Sequence, residues 1–176
     1  MITLLQLQAI VGRRTPEIEE MYEPLIEAMA AYEIDTPLRE AMFLAQVIHE
    51  TAGFHYKEEI ASGEAYEGRE DLGNTEPGDG PRFKGRGAIQ LTGRANYARC
   101  SQALFNSERA LLDNPELVAE PITSAASAAW YWDWKRLNRF ADKRDLLGCT
   151  KVINGGTNGY MNRKKFYERA LYALGI

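Results

Sequence analysis

The stretch from Thr36 to Gly53 limits the possible folds more than any other part of the chain. Thr36 suits a helix N-cap and Pro37 its first position. Leu38, Ala41, Met42, Ala45, Ile48 and Ala52 recur at a 3–4 spacing and form one apolar face. Phe43, Leu44 and Val47 cover much of the remaining circumference. A helix over 37–51 that is apolar nearly all round belongs in the middle of a domain, wrapped by other helices. Gly53 then supplies the stop.

That buried helix ends on a carboxylic acid, Glu50, and a second one, Glu59, follows nine residues later. Burial and the negative end of the helix dipole both disfavour a charged Glu50, so a raised pKa is expected. A proton donor working near neutral pH needs that shift. Two carboxyl groups in unlike environments are what glycosidic bond cleavage uses. The competing interpretation is a solvent-facing Glu at a helix end.

The rest of the chain reads as mostly helical. Thr3 opens a short helix that stops at Gly12, and Thr15-Pro16-Glu17 opens another that runs to about Tyr32. Between Ile60 and Gly80 periodicity is lost among seven glycines, asparagines and prolines such as Gly63, Gly73, Asn74 and Pro77, which predicts a long functional loop. The run Phe83-Lys84-Gly85-Arg86-Gly87-Ala88-Ile89-Gln90-Leu91-Thr92-Gly93 predicts short strands or turns with close backbone approaches. Helices are then predicted over 94–105, around 115–119, and over 122–138, 142–147 and 159–174.

At 176 residues the chain is long enough for one good core and too short for two, so 1–176 is expected to be a single catalytic domain. No segment approaches the roughly 18 apolar residues of a membrane span, and the N-terminus lacks the basic start of a secretory signal. Stable membrane association is therefore not expected. Cys100 and Cys149 read as two buried free thiols, with one disulfide as the alternative. Residues 1–80 carry 17 acidic and 5 basic side chains, and residues 81–176 carry 8 and 16. The C-terminal half could thus face an anionic polymer, whether nucleic acid or bacterial wall, or simply present solvated helix faces.

Several chemistries are excluded by spacing. His49-Glu50 begins like a zinc-protease motif, but the next histidine is His55 and the i, i+4 pair is missing. With two His and two scattered Cys, no zinc site is credible. Gly85-Arg86-Gly87 is only a fragment of a phosphate loop, and no nucleophile elbow exists for Ser/His/Asp catalysis. In Trp130-Tyr131-Trp132-Asp133-Trp134, core packing is the favoured role for Trp130, with sugar stacking open to one of the rings.

Taken together, the motifs resemble family 19 glycoside hydrolases, in their bacteriophage endolysin branch related to plant and bacterial chitinases. They are Phe43-Leu44-Ala45-Gln46-Val47-Ile48-His49-Glu50-Thr51, Tyr66-Glu67-Gly68-Arg69, Asp71-Leu72-Gly73-Asn74-Thr75, Phe83 through Thr92, Asn96-Tyr97, Ile153-Asn154-Gly155-Gly156 and Asn162-Arg163. The resemblance implies a mainly α (α+β), lysozyme-like fold: two helical lobes, a small β element and a cleft between them, with the 60–80 loop on its rim. It implies Glu50 as general acid, Glu59 as general base with Glu58 and Glu67 as rivals, and Thr92 as the hydroxyl that helps hold the attacking water. Gln90, Asn96 and Asn154 would line the sugar cleft, and Arg163 would join the acid's network among the substrate-binding groups.

The implied reaction is inverting hydrolysis without metal or cofactor, which needs carboxyl groups roughly 6.5–9.5 Å apart. The implied partners are peptidoglycan glycan strands or chitin oligosaccharides rather than nucleic acid, with the protein a monomer. The phage-type sequence and the missing signal favour an endolysin held in the host cytoplasm until release to the wall. A chitinase is the second expectation and a non-catalytic wall-binding module the third; retention of Glu50 and Glu59 argues against the module.

Overall fold

The computed structural model describes all 176 residues, and helix is its dominant element. Helix α1 spans Leu4–Val11, α2 Pro16–Ala31 and α3 Pro37–Glu50. After a long irregular segment come α4 (Asp79–Arg82), α5 (Arg94–Phe105) and α6 (Arg109–Asp113). The chain closes with α7 (Pro121–Trp134), α8 (Asn138–Ala141), α9 (Leu146–Asn154) and α10 (Tyr160–Leu174).

Helix α3 is the axis of the molecule, as its composition predicts. The Thr36 hydroxyl accepts from the Arg39 amide at 3.3 Å and starts the helix. Every residue from position 40 to position 48 is buried. Helix α10 lies along α3, while α7 lies along α2. Phe43 meets Trp132 edge to face, with ring centroids 5.3 Å apart, which ties α3 to α7. Trp130 is also core, 8 % exposed. One continuous apolar core runs from Ile2 to Ala170. No helix is long and apolar enough to cross a membrane.

Residues 54–120 form the second lobe. Its β element is small: two antiparallel bridges, Glu58 to Arg86 and Arg86 to Leu91. The amide of Glu59 donates to Gly85 O at 2.8 Å, and Leu91 N donates to Arg86 O at 2.8 Å. Three short backbone segments, carrying Glu59, Gly85 and Thr92, are thereby laid side by side.

The 60–80 segment is irregular but firmly tied. Both carboxylate oxygens of Glu67 accept backbone amides, from Gly78 and Gly80, each at 2.7 Å. Buried Asn74 donates to Tyr66 O and accepts from Arg94 N. Asp79, 1 % exposed, takes both arms of the Arg94 guanidinium.

Three predicted boundaries move. The helix expected over 122–138 stops at Trp134, because Arg136 turns into the left-handed region at φ 53°. The helix expected over 142–147 instead begins at Leu146 and runs to Asn154. Asp145 caps it, accepting from Gly148 N at 2.8 Å, and Arg144 at φ 56° separates it from the preceding turn. Helix α6 was not anticipated, since Arg109–Asp113 is too short to show a period. Both cysteines are buried and unbonded to each other, and burial pushes each thiol up to about 12.

Candidate active site

Glu50 ends α3 with its side chain 17 % exposed, and Arg163 reaches it from α10 at 2.5 Å. Arg163 itself is fully buried. Its second arm donates to Gln46 Oε1, one turn before Glu50 on α3, and Gln46 in turn donates to Thr150 on α9 at 3.4 Å. A buried guanidinium must be paired and hydrogen-bonded to be tolerated. Glu50, Gln46 and the Asn158 carbonyl at 3.5 Å supply those partners. Glu50 is therefore the one carboxylate that this buried guanidinium holds, at the end of α3.

Glu59 lies on the β element and is half-buried. Its Oε1 accepts from the Tyr66 hydroxyl at 3.0 Å and its Oε2 from Gly85 N at 3.1 Å. A Cβ built on Gly85 would lie 2.9 Å from Gln90 Oε1, 3.2 Å from Glu59 Oε2 and 3.4 Å from Thr92 Oγ1. Three side-chain oxygens thus crowd round Gly85, where a glycine lets them approach the backbone closely. Gln90 holds its place at φ 55°, an unfavourable conformation for a residue with a side chain, and donates to Gly87 O. The Thr92 hydroxyl donates to Gln90 O at 3.0 Å.

A cavity of about 190 Å³ opens beside this cluster. Gln90, Thr92 and Asn96 line one side, Leu72 of the tied loop another, and Tyr131 and Ile153 face them from α7 and α9. Burial, then the negative charge of Glu50, push the Tyr131 phenol up to about 12, so this ring lies within the field of Glu50 while it lines the cavity with Thr92.

The expected site residues are thus distributed unevenly. Glu59, Thr92 and Gln90 converge at Gly85, and Asn96 lines the cavity with Gln90 and Thr92, while Glu50 and Glu59 lie outside its lining. Asn154 is exposed at the end of α9 and does not line the cavity, although its neighbour Ile153 does. Arg163 cannot meet a sugar, because its side chain has no exposed surface; it acts on Glu50. The two rival bases are engaged elsewhere. Glu58 pairs with Lys84 at 2.9 Å and Arg86 at 3.4 Å, and the Lys84 contact, then Arg86, holds its carboxyl below the usual range. Glu67 spends both oxygens on the loop.

Sequence reasoning missed Gln46 and Tyr66, while Tyr131, one of the rings left open to stacking, is the one that lines the cavity. Gln46 left a signal: it is a polar residue four before Glu50 on a helix otherwise apolar at those positions. Tyr66 left none, since its approach to Glu59 depends on the loop. Trp134, open to a stacking role by sequence, is already engaged by its neighbours and is not among the residues lining the cavity. Trp130 stacks on it at 5.2 Å between centroids, and Lys135 Nζ sits 3.7 Å from its centroid.

The family model for chitinase class I, glycoside hydrolase family 19, matches residues 28–155. A glycosyl hydrolase family 19 domain-containing protein of Haemophilus influenzae is 32% identical over 163 residues, covering 74% of this chain and 78% of that protein. An endochitinase of Arabidopsis thaliana is 37% identical over 131 residues, covering 74% of this chain but only 44% of the enzyme. Among solved structures, chitinase C from Streptomyces griseus superposes with a TM-score of 0.79 at 26% identity, over 99% of this chain and 76% of that one. With the lysozyme-like helical fold in place, these matches agree: the chain is a glycoside hydrolase and belongs to family 19, the chitinase class I family.

Proposed function

We propose that the protein is an endolysin-type muramidase that hydrolyses the β-1,4 bonds of bacterial peptidoglycan with inversion. Glu50 donates its proton to the glycosidic oxygen. Glu59 takes a proton from a water held also by Thr92, and that water attacks the anomeric carbon from the opposite face. As Glu50 gives up its proton it becomes an anion beside Arg163, a cation already in place and needing no reorganisation. The observation that carries this reading is the convergence of Glu59, Thr92 and Gln90 on the space above Gly85. A water held between the Glu59 carboxylate and the Thr92 hydroxyl, outside contact distance of Gly85 itself, has oxygen acceptors for its protons and a hydroxyl to fix its orientation. Glu58 is engaged by Lys84 and Arg86 and Glu67 by the loop amides of Gly78 and Gly80, whereas the partners of Glu59 lie beside Thr92 and Gln90, which supports Glu59 as the base.

The preference for peptidoglycan rests on the phage-type motif set and the small catalytic unit. Hydrolysis of chitin is the second reading, favoured by the names of the plant and Streptomyces relatives. The two polymers share β-1,4-linked N-acetylated sugars, so one catalytic centre serves either. Incubation with purified sacculi and with a chitin hexamer separates them. Soluble muropeptides ending in reducing N-acetylmuramic acid are expected. Cleavage of the hexamer with intact sacculi would replace the first reading with the second.

A further inference from the structure

Two cations beside the cleft have no acidic partner. On α5, Asn96 lines the cavity, and Arg99 lies three residues later on the same helix face. On α7, Tyr131 lines the cavity, and Trp134 and Lys135 lie three and four residues later. The two helices bring these extensions together around one ring: Lys135 Nζ is 3.7 Å and Arg99 Cζ 5.5 Å from the Trp134 centroid. Lys135 is also 5.7 Å from the Tyr131 ring, the wall of the cavity.

Most cations of the second lobe are matched. Lys84 and Arg86 hold Glu58, Arg94 holds Asp79, and Arg69 holds Asp71. Arg99 and Lys135 are in no ion pair and donate no hydrogen bond to the protein. The nearest acid in sequence, Asp133, makes no ion pair with either cation. Trp134 fixes both side chains without neutralising either, since an aromatic face attracts a cation and leaves its charge intact.

We infer that Arg99 and Lys135 form an anion-binding extension of the cleft, which takes the carboxylates of the peptide stem borne by N-acetylmuramic acid. Chitin carries no carboxylate, so this site would discriminate between the two polymers that the catalytic centre treats alike. The assignment rests on the peptidoglycan reading and gives it a physical basis. Both cations are at the protein surface, so their attraction is screened by salt and each contributes modestly.

The test compares turnover of sacculi and of a neutral chitin hexamer by wild type and by the Arg99→Gln/Lys135→Gln double variant. The sacculus-to-hexamer ratio is expected to fall about tenfold, as two surface charge contacts would contribute. Raising salt from low to high should erode wild-type sacculus turnover more steeply than that of the double variant. Arg139→Gln, a surface cation elsewhere on the helical lobe, should keep the ratio. Co-sedimentation of Glu50→Gln proteins with sacculi, with and without the two substitutions, reads the site without catalysis. Weaker, less salt-sensitive sedimentation of the substituted protein supports it even if the wild type proves unable to cleave sacculi. An unchanged ratio, or equal losses on both substrates, would overturn it.

Discussion

Arg163, with no exposed surface of its own, stands 2.5 Å from Glu50 and couples the last long helix of the chain to the acid at the end of α3. The pair makes Glu50 a structural as well as a chemical residue. Glu50→Gln keeps an oxygen for Arg163 but has no proton to give, so turnover should fall by about three orders of magnitude. Glu50→Leu also strands a buried charge, which costs on the order of 3 kcal/mol. Thermal unfolding should therefore place Gln close to wild type and Leu well below. Equal melting temperatures for the two would mean that Arg163 does not depend on Glu50.

The base assignment separates three nearby carboxylates by what each one holds. Glu59→Gln should abolish turnover and leave stability near wild type, because its carbonyl can still accept from Gly85 N while its NH2 donates to the Tyr66 hydroxyl, which can accept as well as donate. Glu58→Gln loses exposed ion pairs to Lys84 and Arg86 and should change turnover little. Glu67→Gln keeps one acceptor for two backbone amides, so it should loosen the loop and lower the melting temperature. A Glu58→Gln variant as dead as Glu59→Gln would reverse the assignment.

Gly85→Ala probes the convergence directly. The added methyl would sit 2.9 Å from Gln90 Oε1 and 3.2 Å from Glu59 Oε2, both flexible ends that can yield. The fold should survive and the catalytic geometry should not. A displacement near 1 Å at a reacting group costs about 100-fold in rate. Near wild-type kcat in a folded Gly85→Ala protein would show that the groups crowded round Gly85 do not hold the water.

How much of this was readable in the chain depended on how local the cause was. Helix α3 and its burial were legible because an all-round apolar pattern needs no knowledge of partners. The caps at Thr3 and Thr36 were legible for the same reason. The end of α7 at Trp134 was not, because Arg136 adopts a left-handed conformation that nothing in its side chain requires. Glu59 and Thr92 could be named from their motifs, but their meeting at Gly85 depends on the pairing of the Glu59 segment with a turn 26 residues later in the chain. Arg163 is 113 residues from Glu50, and only the packing of α10 on α3 brings them together.

The loop wall of the cleft should be acid-sensitive through Asp79. Burial acts to raise this carboxyl, but its bonds to Arg94 and the Glu76 amide outweigh it and hold the group below its ordinary 3.8. A folded-state value below the unfolded one contributes stability that is complete above the unfolded value and is lost as pH falls through the folded one. Asp79→Asn should therefore cost about 3 kcal/mol at neutral pH. The gap to wild type should narrow as pH drops below 3.8. A gap that stays constant down to strongly acidic pH would show that the ionised carboxylate is not what holds the loop.

Stereochemistry tests the proposed mechanism itself. If Glu59 activates water directly, no covalent glycosyl-enzyme forms and the first product is the α anomer. Thr92 belongs to the same step: its hydroxyl shares the space above Gly85 with Glu59 and can orient the water without replacing the base. Thr92→Val removes that hydroxyl with little change in volume, so kcat should fall while KM changes little. Thr92→Ser restores the oxygen and should recover much of the rate. Time-resolved NMR of a soluble oligosaccharide digest reads the anomer before mutarotation. A β product at the earliest times would mean retention, and Glu59 would then have to be reassigned from base to nucleophile or dropped from the reaction.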